Sequence, residues 1–128
     1  MTKTIRGPFD VKRTAASGPD DPVGRWLLDK QFHGDLSASS VGQMLAVMTE
    51  ANGAAVYVAL ERVTGTLEGR SGTFVLHHLG NASKAGQSLV VGVAADSGTG
   101  ELAGLKGTMA IVIEAGGKHF YELEYELG

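Results

Sequence analysis

The 128-residue chain contains no cysteine. That excludes a disulfide framework, a thiolate nucleophile and a cysteine-based zinc site, and it fits a reducing, cytoplasmic setting. No run of about eighteen apolar residues occurs, so nothing reads as a membrane-spanning helix. The N-terminal stretch MTKTIRGPFDVKRT is basic but has no apolar core, so it does not read as a secretory signal. The net charge is −3, with the charges dispersed. Without a basic stripe, nucleic acid is not an expected partner. There is no nucleophile elbow and no Ser-His-Asp order, which disfavours hydrolysis. Proline is scarce, with three residues. Two of them fall in 14–25 (TAASGPDDPVGR), a loop long enough to fold over one end of a single domain spanning 1–128.

Glycine is abundant instead. Nineteen residues is about twice the usual share. Five positions of GTLEGRSGTFVL (65–76) recur in GELAGLKGTMAI (100–111): Gly65, Leu67, Gly69, Gly72 and Thr73 match Gly100, Leu102, Gly104, Gly107 and Thr108. Repetition at a fixed offset marks one supersecondary unit used twice. Each copy reads as a sharp corner between two antiparallel strands.

Between the glycines lie short apolar runs. Residues 5–13 read as a first strand. Residues 26–36 place Trp26, Leu28, Phe32 and Leu36 on one face. Residues 40–50 fit a helical period through Val41, Leu45 and Met48, but the strand-like remainder of the chain favours strand. Asn52-Gly53 then reads as a tight hairpin turn. Further strands are expected over 54–64, 71–79, 85–94, 107–115 and 118–127, with Gly116-Gly117 turning the last hairpin. In the final strand His119, Tyr121, Leu123, Tyr125 and Leu127 alternate with Phe120, Glu122, Glu124 and Glu126. Three alternating glutamates belong in water, so the tyrosine face points inward. About eight short strands imply a sandwich or a closed barrel, and closure removes exposed edges.

Four segments carry a resemblance: FHGDL (32–36), YVALERVTGTLEGRSGTFVLHH (57–78), SGTGELAGLKGT (97–108) and KHFYELEYEL (118–127). They resemble the bacterial family known as domain of unknown function 3224, over nearly the whole chain. At the fold level that family is similar to the allene oxide cyclase and dirigent barrels. Those share a Gly-Thr-Gly-x-apolar-x-x-x-x-Gly corner, matched here from Gly98 to Gly107. The resemblance implies an all-β, eight-stranded antiparallel closed barrel with an interior cavity, often oligomeric. It implies no agreed activity.

The run Ser97–Gly104 does not read as a phosphate loop, because strand rather than helix follows and Gly107 follows Lys106. His77 and His78 are adjacent on a strand and point to opposite faces, so they cannot share an ion. His33, His119 and one of that pair could converge on a metal, but a hydrogen-bonded barrel histidine is the default, and no cofactor is expected. Glu61 and Arg62 also face opposite ways within an apolar strand. If Tyr57 and Glu61 face inward, Val56, Val58, Leu60 and Arg62 form an outer wall that needs a partner subunit, a homo-oligomer. An inward carboxylate must be salt-bridged, for example to Lys30 or to Arg62 of the opposite face at a barrel end, or raised in pKa. Phe74, Leu76 and His78 are assigned to the interior.

A pocket could then be lined by Tyr57, Phe32, Phe74, His119, Tyr121 and Tyr125, with Glu61 and His78 as its reactive pair. Three functions follow. A hollow barrel binds a small, mostly apolar metabolite. A cofactor-independent isomerase or cyclase uses Glu61 as acid or base. A filled barrel is a structural or assembly protein. Binding stands first because no catalytic constellation is evident.

Overall fold

The computed structural model describes residues 2–49 and 54–127. They form eight antiparallel strands in chain order: β1 (Lys3–Ala15), β2 (Gly24–Phe32), β3 (Leu36–Thr49), β4 (Ala54–Leu67), β5 (Arg70–Ser83), β6 (Gly86–Val93), β7 (Lys106–Ile113) and β8 (His119–Glu126). Each strand pairs with its sequence neighbours, and β1 pairs with β8, so the sheet closes into a barrel. Residues 40–49 are strand, as the all-β context favoured. Asn52-Gly53 lies outside the described residues.

Period-two alternation decides what faces inward. On β4, Ala59, Glu61, Val63 and Leu67 are buried, while Val58, Leu60 and Arg62 are exposed. On β8, Tyr121, Leu123 and Tyr125 are buried and Glu124 and Glu126 are exposed. Bulky aromatics on this inner surface are accommodated by glycine on the neighbouring strand. Tyr121 faces Gly7 and Tyr57 faces Gly80. A Cβ added to Gly80 would lie 2.2 Å from the Tyr57 ring, so the ring occupies the space that a side chain on β5 would need.

Three boundaries differ from the sequence expectation. The stretch 26–36 is not one strand: Gly34 adopts φ +98° and turns the chain at 33–35. The proline-bearing loop is shorter than 14–25, because β1 continues to Ala15 and Ala15 pairs with Trp26. The fifth strand runs through Asn81 to Ser83 instead of turning at Asn81.

The duplicated glycine phrase folds in two ways. Its first copy is a two-residue hairpin, with Glu68 and Gly69 both at positive φ (47° and 84°). Its second copy is no sharp corner. The chain leaves β6 at Val93, makes a 3-10 turn over Gly100–Leu102 and enters β7 only at Lys106. Equivalent positions still behave alike: Leu67 and Leu102 are fully buried, and Gly104 repeats the φ of Gly69 at 85°. The longer path arises because this connection lies against β5. The Thr99 N–H donates to the Thr73 carbonyl at 2.8 Å, and the Thr73 N–H donates to Thr99 Oγ1 at 3.1 Å. Gly72 permits the approach, since a Cβ there would sit 2.0 Å from the Thr99 carbonyl oxygen.

Leu102 and Leu105 thereby join Leu36, Leu67, Phe74, Leu76, Tyr121 and Leu123 in one cluster that fills this end of the barrel. The opposite end is not filled. There the inward-facing Trp26, Met44, Ala46, Tyr57 and Ile111 are only half-buried. Inward-facing Leu89 and Ile113 at the rim are 42% and 64% exposed. The barrel thus has an apolar plug at one end and, at the other, a rim of partly exposed apolar side chains with Arg13 lying over the Trp26 ring.

Candidate functional site

Four polar residues lie on the floor of that open end: Lys30, Ser40, Glu61 and His78, all buried. They come from β2, β3, β4 and β5, four consecutive strands, and each occupies an inward position of its strand. Register brings them level. Lys30 pairs with Ser40, and Glu61 lies one diagonal step from each neighbour, opposite Gly42 and Leu76. Gly42 is required where it stands, because a Cβ would fall 2.6 Å from the Glu61 Cβ.

Glu61 is the hub. Its Oε2 accepts from Lys30 Nζ at 2.8 Å and contacts His78 Nε2 at 2.6 Å; its Oε1 accepts from Ser40 Oγ at 2.7 Å. Burial alone would push this carboxyl up. The His78 hydrogen bond and the Lys30 charge together outweigh burial and hold it at about 2. Of the two states open to an inward carboxylate, pairing or protonation, the barrel has pairing. Glu61 is therefore a saturated anion at neutral pH, with no capacity left to accept a proton from a ligand.

A carboxylate that accepts from Nε2 places a proton on that nitrogen, and the ring's other nitrogen, Nδ1, points away from Glu61. Nδ1 makes no hydrogen bond among the described residues. Yet no fully buried side-chain nitrogen or oxygen there lacks a partner. Nδ1 therefore keeps some accessible surface. One step towards the rim, the Tyr57 ring stands 6.5 Å from the His78 ring, centroid to centroid, with its hydroxyl also unpartnered among the described residues. Burial, and then the Glu61 charge, raise the Tyr57 pKa, which keeps that hydroxyl protonated.

Of the other residues expected at a pocket, only His119, opposite Ile113 at the rim, lies at the open end. Phe32, Phe74, Tyr121 and Tyr125 belong to the filled half. The Tyr121 hydroxyl is spent on the backbone, donating to the His33 carbonyl at 2.6 Å and accepting from the Leu36 N–H at 3.1 Å. Tyr125 donates to Glu68 at the plugged end. His119 stands half-buried against Phe9, ring centroids 5.3 Å apart. The remaining histidines do not converge: His33 faces outward to Asp10, and His77 lies on the outer surface over Gly92. Among the described residues no group of three His, Asp or Glu side chains could hold a metal ion.

Sequence reasoning did not assign Ser40, nor the open-end residues Trp26, Met44 and Ala46, to the site. A signal existed for Ser40: it is a polar residue at an inward position of Leu36-x-Ala38-x-Ser40. None existed for Met44 and Ala46, which read as ordinary core.

The outer wall has a distinct character. Val41, Leu45, Val58, Leu60, Leu79 and Val90 are exposed there, Val41 at 66% and Leu60 at 62%. A recess of about 700 Å³ runs along it between Arg25, Gln43, Leu45, Val58, Leu60 and His77, and His78 also contributes to its lining. No helix among the described residues is long and apolar enough to cross a membrane.

No curated protein matches this chain. A crystal structure of a protein of unknown function from the DUF3224 family of Shewanella oneidensis MR-1 is 45% identical. It aligns over 100% of this chain and 98% of its own length, with a TM-score of 0.91. The family model described as protein of unknown function (DUF3224) matches residues 5–125. The chain, an eight-stranded antiparallel barrel plugged at one end, belongs to the DUF3224 family.

Proposed function

We propose that this protein binds a small, mostly apolar molecule in the open half of its barrel, against the Tyr57 and His78 side chains. One observation supports the reading above others: the two ends of the barrel differ. Inward side chains are fully buried at the plugged end and half-buried or exposed at the other. A wholly filled, purely structural barrel has no reason to leave Trp26, Met44, Tyr57 and Leu89 unpacked, since apolar area left in water forgoes about 25 cal/mol per Å². Apolar walls over a few convergent polar groups are the usual makeup of a small-ligand site.

The test uses N-phenylnaphthylamine, an uncharged apolar dye that fluoresces when bound. Trp26, the one tryptophan, serves as energy donor at the rim. Saturable transfer is expected in the parent protein and its loss in Ala46→Trp, which fills the open end. Leu45→Trp fills the outer recess and should leave binding intact. Loss in Leu45→Trp with retention in Ala46→Trp would move the site to the outer wall and sink the reading.

The proposal extends to the assembly. The exposed apolar wall of β3 and β4 is the surface through which copies of this barrel associate, because a contiguous apolar sheet face on a soluble chain favours coverage. Light scattering behind size exclusion should show an oligomer that Leu60→Glu dissociates. A monomer at high concentration would rule this out.

A further inference from the structure

We propose that the Tyr57–His78 pair transfers a proton on the bound molecule, which makes the open half of the barrel an isomerase site for apolar carbonyl compounds. This rests on the binding reading and adds chemistry to it. The substrate class is a molecule with a carbonyl and a C–H bond on the carbon beside it, carried on an apolar body.

The roles follow from where the free valences lie. With Nε2 held by Glu61, Nδ1 is the His78 nitrogen left without a partner among the described residues, and as a neutral imidazole it would present its lone pair there. An imidazole oriented by a carboxylate on its far nitrogen is the usual form of a general base. Ordinarily such a base activates a neighbouring hydroxyl for attack. Here the hydroxyl on the floor, Ser40 Oγ, donates to Glu61 at 2.7 Å instead. Among the described residues no nucleophile is placed to receive activation, so the proton that His78 takes must come from the ligand. Tyr57 supplies the complementary group, a protonated donor beside the base.

The step balances without a co-reactant. The C–H bond next to the carbonyl breaks and its proton goes to Nδ1. The electron pair moves through the new C=C bond onto the carbonyl oxygen, where the Tyr57 hydroxyl donates to the enolate. The imidazolium then returns the proton, to the same carbon or to the far end of a conjugated double bond, and the oxygen reverts to a carbonyl. Glu61 touches no substrate atom. It is a positioning residue that holds the ring and balances its charge while the proton is on it. Lys30 offsets the second negative charge in the barrel that an enolate would otherwise create beside Glu61.

The groups facing His78 are Glu61 and Tyr57 on β4 and Lys30 on β2, joined on β6 by uncharged Val91.

The test follows β-tetralone in heavy water by proton NMR, reading loss of its benzylic α-proton, with saturation transfer reporting binding in the same tube. The parent protein should speed exchange by about a hundredfold or more over an equal concentration of imidazole. His78→Gln should abolish the excess. Tyr57→Phe has no hydrogen bond among the described residues to lose, so it folds, binds within about threefold and exchanges about a hundredfold more slowly. Binding without exchange above the imidazole control overturns the proton transfer and leaves the binding reading standing. Exchange that survives His78→Gln or Tyr57→Phe also overturns it. Absence of binding overturns both.

Discussion

Glu61→Gln removes one charge from a site that has no water to replace it. The parent carboxylate accepts three hydrogen bonds. The amide can accept on one oxygen only, and its NH₂ faces Lys30 and His78, which are donors themselves. Lys30, with 7% of its side chain exposed, is left without an anion. Removing one member of a buried pair typically costs about 3–5 kcal/mol. Proton linkage gives a second route to the figure. The carboxyl sits at about 2 against an ordinary 4.5. At about 1.4 kcal/mol per pH unit, that gap contributes about 3 kcal/mol at neutral pH. The two routes agree, and for a domain of this size they correspond to a melting point lower by roughly 10–15 °C. Urea unfolding of both proteins at several pH values is the assay, with unchanged m as the check that one transition is being compared. The sign is set by a depressed folded pKa. The contribution is complete above 4.5 and is lost as pH falls through about 2. The gap between parent and variant should thus hold steady from pH 7 to about 5.5 and then narrow. A gap below about 1 kcal/mol at pH 7, or one that persists undiminished to pH 2, would refute the account of the floor as a charge-balanced cluster.

Other expectations concern the plug, the strand approach and the rim. Leu102→Ala opens a cavity in the filled end and should cost about 2–5 kcal/mol in chemical denaturation. Gly72→Ala drives a methyl into the Thr99 carbonyl oxygen, 2.0 Å away. It should lift the 94–105 connection from β5 and raise amide exchange at Thr99, whereas unchanged protection would show that the contact is dispensable. Tyr57→Phe should alter thermal stability by less than about 0.5 kcal/mol, because its hydroxyl has no partner among the described residues to lose. A larger drop would mean that the hydroxyl is structural.

Much of the barrel could be read from periodicity, and the reason is local. His119 through Glu126 alternates so cleanly that only one face can tolerate water, and the structure buries Tyr121, Leu123 and Tyr125. Glu61 was legible as an inward carboxylate for the same reason, and Lys30 as its partner by charge. The second glycine phrase shows where local reading stops. Its residues match the hairpin at 65–76, yet the preceding chain runs against β5 and converts the corner into a plug. Thr99 meeting Thr73 is a contact between distant segments, which no spacing within 100–111 encodes.

The alternation of apolar and charged residues determined by itself that this chain is all-β and that Glu61 and Arg62, like His77 and His78, face opposite ways, because side-chain direction along a strand depends only on parity; closure of the sheet was what the family resemblance implied. Tertiary structure alone decided which end of the barrel is full and which is open. It also decided that four residues from four strands meet on one carboxylate, and that the inward tyrosines part into a plug and a single Tyr57 beside His78. Those outcomes depend on register, on how far each strand runs past its neighbour and on where one connection comes to rest. They are properties of the assembled sheet and of no single segment.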